Sequence, residues 1–244
     1  MPYETHPDLI TPPDSTILWR YVDFPRLLDM LERQVLWFPR LDTLTLEDPL
    51  EGSWTDLEIE GLRSLPPDRP PFGRRSIGDS YLSFARATSL ATFVNCWRAG
   101  SHESMAMWDI YRRAGPVIAV KSTVGLLKQT FAVYNKSVNI GNVKYTDWNN
   151  EAPWDNNLLV MCVRKELAYL HEAEVRAVIL DPDNVGALSP PLGLKVPFDP
   201  RTLITEVVVG PREKAWIYGI VGRVMSRYGL TQQVTASKLL RPRI

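Results

Sequence analysis

The stretch from Ile17 to Pro39 constrains the fold more than any other. Ile17-Leu18-Trp19-Arg20-Tyr21-Val22 is apolar and aromatic around a single charge, which predicts a strand. Asp23 is placed to cap a following helix, with Pro25 near its first turn, where a missing N–H costs little. Leu27, Leu28, Leu31 and Val35 then recur at helical spacing and give one apolar face. Val35-Leu36-Trp37-Phe38 is a second short strand, ended by Pro39. A chain that switches so quickly between the two periodicities belongs to the mixed fold classes.

The rest of the sequence keeps that alternation. Phe93-Val94-Asn95-Cys96-Trp97 reads as a strand, about Glu103 to Arg113 as a helix stopped by Gly115-Pro116, and Val117-Ile118-Ala119-Val120 as a buried strand. Ser122 is placed to cap a helix over 123–132. Val138 to Tyr145 fits either a bulged strand or a tight hairpin around Gly141-Asn142. A helix near 158–170 leads to the strong strand Glu174–Leu180, and 181–200 reads as a Pro/Gly-rich loop. Ile204–Val209 is the last strong strand; Glu213–Tyr228 is an amphipathic helix with Gly229 after its end, and Gln232–Ser237 returns as a strand. Residues 1–16 read as an extended N-terminal arm. Residues 39–80 read as loop, with the Pro-rich stretch Leu65–Pro71 inside an insertion near 55–78. The expectation is a single α+β domain over 17–240, with a mixed, mostly antiparallel sheet core and flanking helices.

Composition narrows the function only by exclusion. Lys+Arg 28 against Asp+Glu 28 leaves no net charge, so no global field draws the chain onto nucleic acid or anionic lipid. Cys96 and Cys162 cannot form a disulfide framework and lack metal-ligand spacing. The opening residues lack a basic segment followed by an apolar stretch, and no apolar run approaches the roughly 18 residues of a membrane span. The chain therefore reads as cytoplasmic, with no membrane partner. It carries no Gly-rich phosphate loop and no G-x-S-x-G elbow. His6, His102 and His171 stand apart from partner ligands, so no metal is expected.

Three segments place polar groups beside strands that otherwise read as buried. In Trp19-Arg20-Tyr21, Arg20 alternates against its aromatic neighbours, either aimed into a cleft to grip a phosphate or carboxylate or paired with an acid on a half-exposed sheet. In Glu172-Ala173-Glu174-Val175-Arg176, period two puts Glu172, Glu174 and Arg176 on one face, as a reactive carboxylate pair or as a solvated Glu–Arg ladder. Trp108 and Tyr111 lie three apart on a helix, as the floor of a pocket for a flat ring or as plain core.

Taken in order, Leu18-Trp19-Arg20-Tyr21, Val35–Pro39, Asp48-Pro49-Leu50-Glu51, Cys96-Trp97, Met107-Trp108-x-x-Tyr111 with Gly115, Glu172-x-Glu174-x-Arg176 and Val207-Val208-Val209-Gly210-Pro211 form a recognisable series. It resembles the prokaryotic and phage family called domain of unknown function twenty-nine seventy-one, over about 17 to 238. The order of elements is also similar to that of ADP-ribosyltransferases: a strand bearing Arg, then a helix and short strand, an aromatic residue or Ser-Thr in the middle, and a late Glu-x-Glu. Arg20, Tyr111 or Ser122-Thr123, and Glu172-x-Glu174 occupy those places. That resemblance implies NAD as substrate, with Glu174 facing the ribose and Glu172 orienting or deprotonating the acceptor. It implies Arg20 on the pyrophosphate or nicotinamide ribose, and Tyr21, Trp108 and Tyr111 as the rest of the cofactor-binding set. The partners implied are a small nucleotide and a protein or nucleic-acid acceptor, in a phage-defence or toxin setting. Competing readings are a non-catalytic nucleotide- or peptide-binding module, a nuclease gathering a divalent ion at Asp48, Glu51, Glu172 and Glu174, and a purely structural salt-bridge lattice.

Overall fold

A computed structural model describes residues 3–46, 48–64, 77–112, 115–153 and 157–240. The expected Pro-rich connector Leu65–Pro71 lies outside those residues. In chain order the elements are β1 (Ile17–Asp23), α1 (Phe24–Arg33), β2 (Val35–Pro39), α2 (Asp56–Ser64), α3 (Ile77–Ser89), β3 (Thr92–Ala99), α4 (Met105–Tyr111), β4 (Val117–Thr123) and α5 (Val124–Phe131). They continue as β5 (Asn139–Asn142), β6 (Lys144–Thr146), α6 (Leu158–Met161), β7 (Arg164–Glu166), β8 (Glu174–Leu180), β9 (Gly193–Pro197), α7 (Pro200–Leu203), β10 (Glu206–Val209), α8 (Ala215–Arg227) and β11 (Gln233–Ala236). The architecture is α+β. A seven-stranded sheet has the order β11-β10-β4-β1-β3-β8-β5, antiparallel throughout except for β10 with β11. Two small ribbons, β2–β9 and β6–β7, stand apart from it.

The start of the chain folds for the reasons its sequence suggests. The Asp23 carboxylate accepts from the Arg26 N–H at 2.7 Å and caps α1. Leu27, Met30 and Leu31 then face the core with Leu127 and Phe131 of α5, Ile217, Val221 and Met225 of α8, and Leu36 and Phe38 of β2. This layer covers one sheet face, where β8 contributes Val175, Ala177 and Ile179 and β3 contributes Phe93 and Trp97. The opposite face is covered in two parts. Met107 and Trp108 of α4 pack on Trp19, Tyr21, Val117, Ala119 and Val208. Leu9, Leu41, Val160 and Cys162 pack on Val94 and Val178.

One irregularity in the sheet shapes everything that follows. β4 pairs with β1 at all seven residues, and β8 pairs with β3 from Thr92 to Arg98. Among the described residues β1 and β3 pair with each other only at Leu18↔Ala99 and Trp19↔Arg98. Beyond Trp19 the two strands part.

Several expectations are corrected. Residues 39–80 are not simply loop: a 3-10 turn runs Leu41–Leu46, and α2 and the start of α3 lie there too. α2 begins with a capping box in which the Thr55 hydroxyl accepts from Glu58 N–H while the Glu58 carboxylate accepts from Thr55 N–H at 2.9 Å. Thr123, not Ser122, caps α5; the Ser122 hydroxyl donates to the Leu203 carbonyl at 2.6 Å. Val138–Tyr145 is neither a bulge nor a hairpin, because β5 pairs with β8 and β6 pairs with β7. The single helix expected near 158–170 is α6, then β7, then a 3-10 turn over Leu167–Glu172. Residues 181–200 include β9, which pairs with β2. The first sixteen residues are tied to the domain where described: Glu4 N–H donates to the Val138 carbonyl, and Asn142 N–H donates to that of Ile10.

Candidate active site

The site lies where β1 leaves β3. The Arg20 guanidinium reaches across the opening and donates from Nη1 to the Cys96 carbonyl at 2.9 Å, with its carbon 5.7 Å from the Trp97 ring centre. Among the described residues no carboxylate lies within ion-pairing distance of it. The expected alternative, an Arg paired with an acid, is therefore not what forms. Burial lowers the pKa of this half-buried cation from its ordinary value, and its electrostatic neighbours are Cys96, Tyr111 and, repulsively, Arg26.

Beyond β3 stands a cluster built on β8. The fully buried Arg176 donates from Nε and Nη2 to Glu174 at 2.8 and 2.9 Å, from Nη1 and Nη2 to Glu51, and from Nη1 to the Cys162 carbonyl at 2.8 Å. All five of its N–H donors are occupied, so it holds the cluster together and has none left for a ligand. Burial raises the pKa of Glu174, but the charge and hydrogen bonds of Arg176, the charge of Lys165 and a hydrogen bond from the Cys96 thiol outweigh it and hold it below the ordinary 4.5. Glu174 is thus ionised at neutral pH in spite of being 6 % exposed.

Glu172 corrects the period-two reading. The strand begins at Glu174, and Ala173 takes a left-handed conformation with φ 42°, so Glu172 closes a 3-10 turn and does not extend the face of β8. The two carboxylates meet by another route. Lys165 on β7 lies 2.6 Å from Glu172, 3.9 Å from Glu174 and 4.0 Å from Glu51. Burial raises the pKa of Glu172 more than Lys165 and Arg176 lower it, and Glu174 adds to the rise. The pair is therefore split, Glu172 upward and Glu174 downward.

Tyr111 links the two sides. Burial, with the nearby Cys96, Glu174 and Glu172 and against Arg20, pushes its hydroxyl up to about 12. Its ring lies 6.2 Å from that of Tyr21, which meets Trp108 edge-on at 4.8 Å. Tyr21 accepts from Ser104 N–H at 2.9 Å, and Trp108 donates to Glu103 at 3.1 Å. Tyr21 and Trp108 are buried core that backs Tyr111, which itself stays half-exposed. Of the residues expected at the site, Tyr111 lies near Glu172 and Glu174 on one side and near Arg20 on the other, with Tyr21 and Trp108 one layer behind.

Sequence reasoning missed Lys165 and Tyr145, whose hydroxyl accepts from Glu174 N–H at 2.8 Å and is pushed up to about 12, first by burial. It also missed the buried pair Glu58–Arg164, closed at 2.6 Å. Asp48 and Glu51 do arrive near the cluster, yet among the described residues no three acidic, His or Cys groups converge as a metal site would require. A separate cavity of about 390 Å³ between the ends of α1 and α5 is lined by Arg33, Gln34, Gln129 and Phe198, among others, and by none of the expected site residues.

No family model matches the chain, which leaves the resemblance to family twenty-nine seventy-one unsupported. No curated protein matches it either. Among solved structures it is similar to Thermus sp. 2.9 DarT in complex with ADP-ribosylated ssDNA, with a TM-score of 0.42 and 11 % identity over 94 % of this chain and 98 % of that one. The same protein in complex with carba-NAD+ gives 0.42 and 11 % over 93 % and 98 %, and in complex with NAD+ 0.39 and 12 % over the same shares. At that level the similarity carries no argument, and the chemistry rests on the geometry above.

Proposed function

We propose that this opening binds NAD and cleaves its nicotinamide–ribose bond, passing ADP-ribose to a protein or nucleic-acid acceptor. The observation that carries the reading is Arg20: a half-buried cation with no carboxylate partner among the described residues, which shares Tyr111 and Cys96 as neighbours with a buried, ionised carboxylate, Glu174. A cation without a counter-ion suits a pyrophosphate, and an ionised carboxylate suits the positive charge that develops on the ribose as the bond breaks. Tyr111 between them offers a ring to stack on nicotinamide.

The split of the two glutamates supports a different role for each. Glu174, held ionised, stabilises the oxocarbenium-like ribose; Glu172, with its raised proton affinity, is the base. The acceptor's O–H or N–H gives its proton to Glu172, its heteroatom bonds C1′, and the C1′–N pair leaves with neutral nicotinamide. The bacterial setting that fits is phage defence or a toxin, since an enzyme consuming NAD to mark macromolecules is costly to its host.

Purified protein is incubated with NAD labelled on the adenylate side, beside Glu174→Gln and Arg20→Met, with protein, DNA and RNA offered as acceptors. Label transfer or nicotinamide release that disappears in both variants while each stays folded by circular dichroism supports the enzyme. One observation favours a second reading, a non-catalytic nucleotide-binding module: both Glu174 oxygens are already engaged by Arg176. That reading expects an NAD-dependent melting shift, lost in Arg20→Met, with no turnover.

A further inference from the structure

We infer that Lys165 is a positioning residue of this site, whose ammonium keeps Glu172 charged and aimed alongside Glu174 and so sets the pH range over which an acceptor can be deprotonated. For its functional half this rests on the NAD-cleaving reading; its structural half stands on the geometry alone. Residues of β7 alternate: Arg164 goes to Glu58 and the Trp148 ring, and Lys165 turns the other way, into the carboxylate cluster. Its side chain is 10 % exposed, and its ammonium stands 4.4 Å from the centre of the Tyr169 ring. A lysine held in this way cannot swing out to water as surface lysines do.

Of the three carboxylates that Lys165 meets, Glu51 and Glu174 are locked by Arg176, and only Glu172 depends on Lys165 for a direct hydrogen bond. Glu172 is also the most exposed of the three, its side chain 18 % accessible against 1 % and 6 %, so it is the one an acceptor can reach. The charged and titratable groups facing it are Lys165 from β7, Glu174 and Arg176 from β8, Tyr145 from β6, Tyr111 from α4 and Tyr169 from its own turn. Lys165 is the one cation among them that touches it. Without that ammonium, burial and the Glu174 charge act on Glu172 with only the more distant Arg176 opposing them.

The test compares the full-length wild type with Lys165→Met and Lys165→Arg. Infrared-monitored titration, with Glu172→Gln to identify the band, follows the Glu172 carboxyl with no ligand present, and NAD consumption is followed across pH in parallel. The expected result is a rise of about one unit or more in the Glu172 midpoint in Lys165→Met. The acid limb of the pH–rate profile should move by the same amount, and Lys165→Arg should restore both. A Glu172 midpoint that stays put in folded Lys165→Met overturns the inference, as does an acid limb that moves without it. Should Lys165→Met not fold, Lys165→Gln, which keeps a donor and loses the charge, is read by the same criteria. If the wild type consumes no NAD, the NAD reading fails by itself, and the titration alone upholds or overturns the hold of Lys165 on Glu172.

Discussion

Arg176 grips Glu174, two residues earlier in the same strand, with two hydrogen bonds at 2.8 and 2.9 Å, so one side chain of β8 fixes the carboxylate of another. The same guanidinium holds Glu51 from a loop 125 residues away in sequence. Removing one partner from a buried ionic cluster leaves the others without compensation, at about 3–5 kcal/mol. Arg176→Met is therefore expected to lower stability by that order in denaturant unfolding. The triple variant Arg176→Met, Glu51→Gln, Glu174→Gln should recover part of the loss. Equal stability of the single and triple variants would mean that Arg176 contributes through packing alone.

Arg20 should behave in the opposite way. It is desolvated without a carboxylate to offset the cost, so Arg20→Met is expected to leave the melting temperature unchanged or to raise it. A gain of 1 kcal/mol is worth about 2–4 °C in a chain of this size. The same substitution should abolish any NAD-dependent shift. A large fall in melting temperature would show Arg20 to be a structural strut.

Acid should find the cluster through Glu174. Its folded-state pKa lies below the ordinary 4.5, so the unfolded chain takes up its proton first as pH falls. Its stabilisation is complete above about 4.5 and is lost as pH drops through the folded value. The stability difference between wild type and Glu174→Gln, measured by urea unfolding from pH 7 to pH 3, should therefore shrink on the acid side. A difference that widens there would reverse the assigned direction.

Gly78 marks the contact between α2 and α3. A Cβ placed there would stand 2.0 Å from the Leu62 carbonyl oxygen, a clash with backbone that no side-chain rotation relieves. Gly78→Ala is expected to destabilise by about 1–3 kcal/mol as the helices separate. Thermal unfolding with an unchanged midpoint would show that the two helices slide freely.

The sequence is most legible where structure is local. The Asp23 cap, the apolar stripe of α1 and the strand runs of β3 and β8 are written in neighbouring residues, and the observed elements agree with them. β9 was hidden because Gly193-Leu-Lys-Val-Pro becomes a strand only by pairing with β2, more than 150 residues earlier. α2 did carry a sign, the Thr55-x-x-Glu58 box, in a stretch whose prolines spoke louder. At the site, Arg20, Tyr111 and Glu174 could be picked out because each interrupts an apolar pattern. The misplacement of Glu172 turns on Ala173, an ordinary residue in a left-handed conformation that nothing in its side chain announces. Lys165 was missed for a similar reason: a three-residue strand leaves too short a pattern to separate from a helix.

The parting of β1 from β3 has a mechanical consequence. The sheet is two panels, β11-β10-β4-β1 and β3-β8-β5, which among the described residues pair with each other only through the two rungs at Leu18 and Trp19. A molecule lodged in the seam would act as a wedge between panels and meet main-chain edges as well as side chains. Prising or clamping the panels would then register far from the opening, in the breathing of strands that the guest never touches.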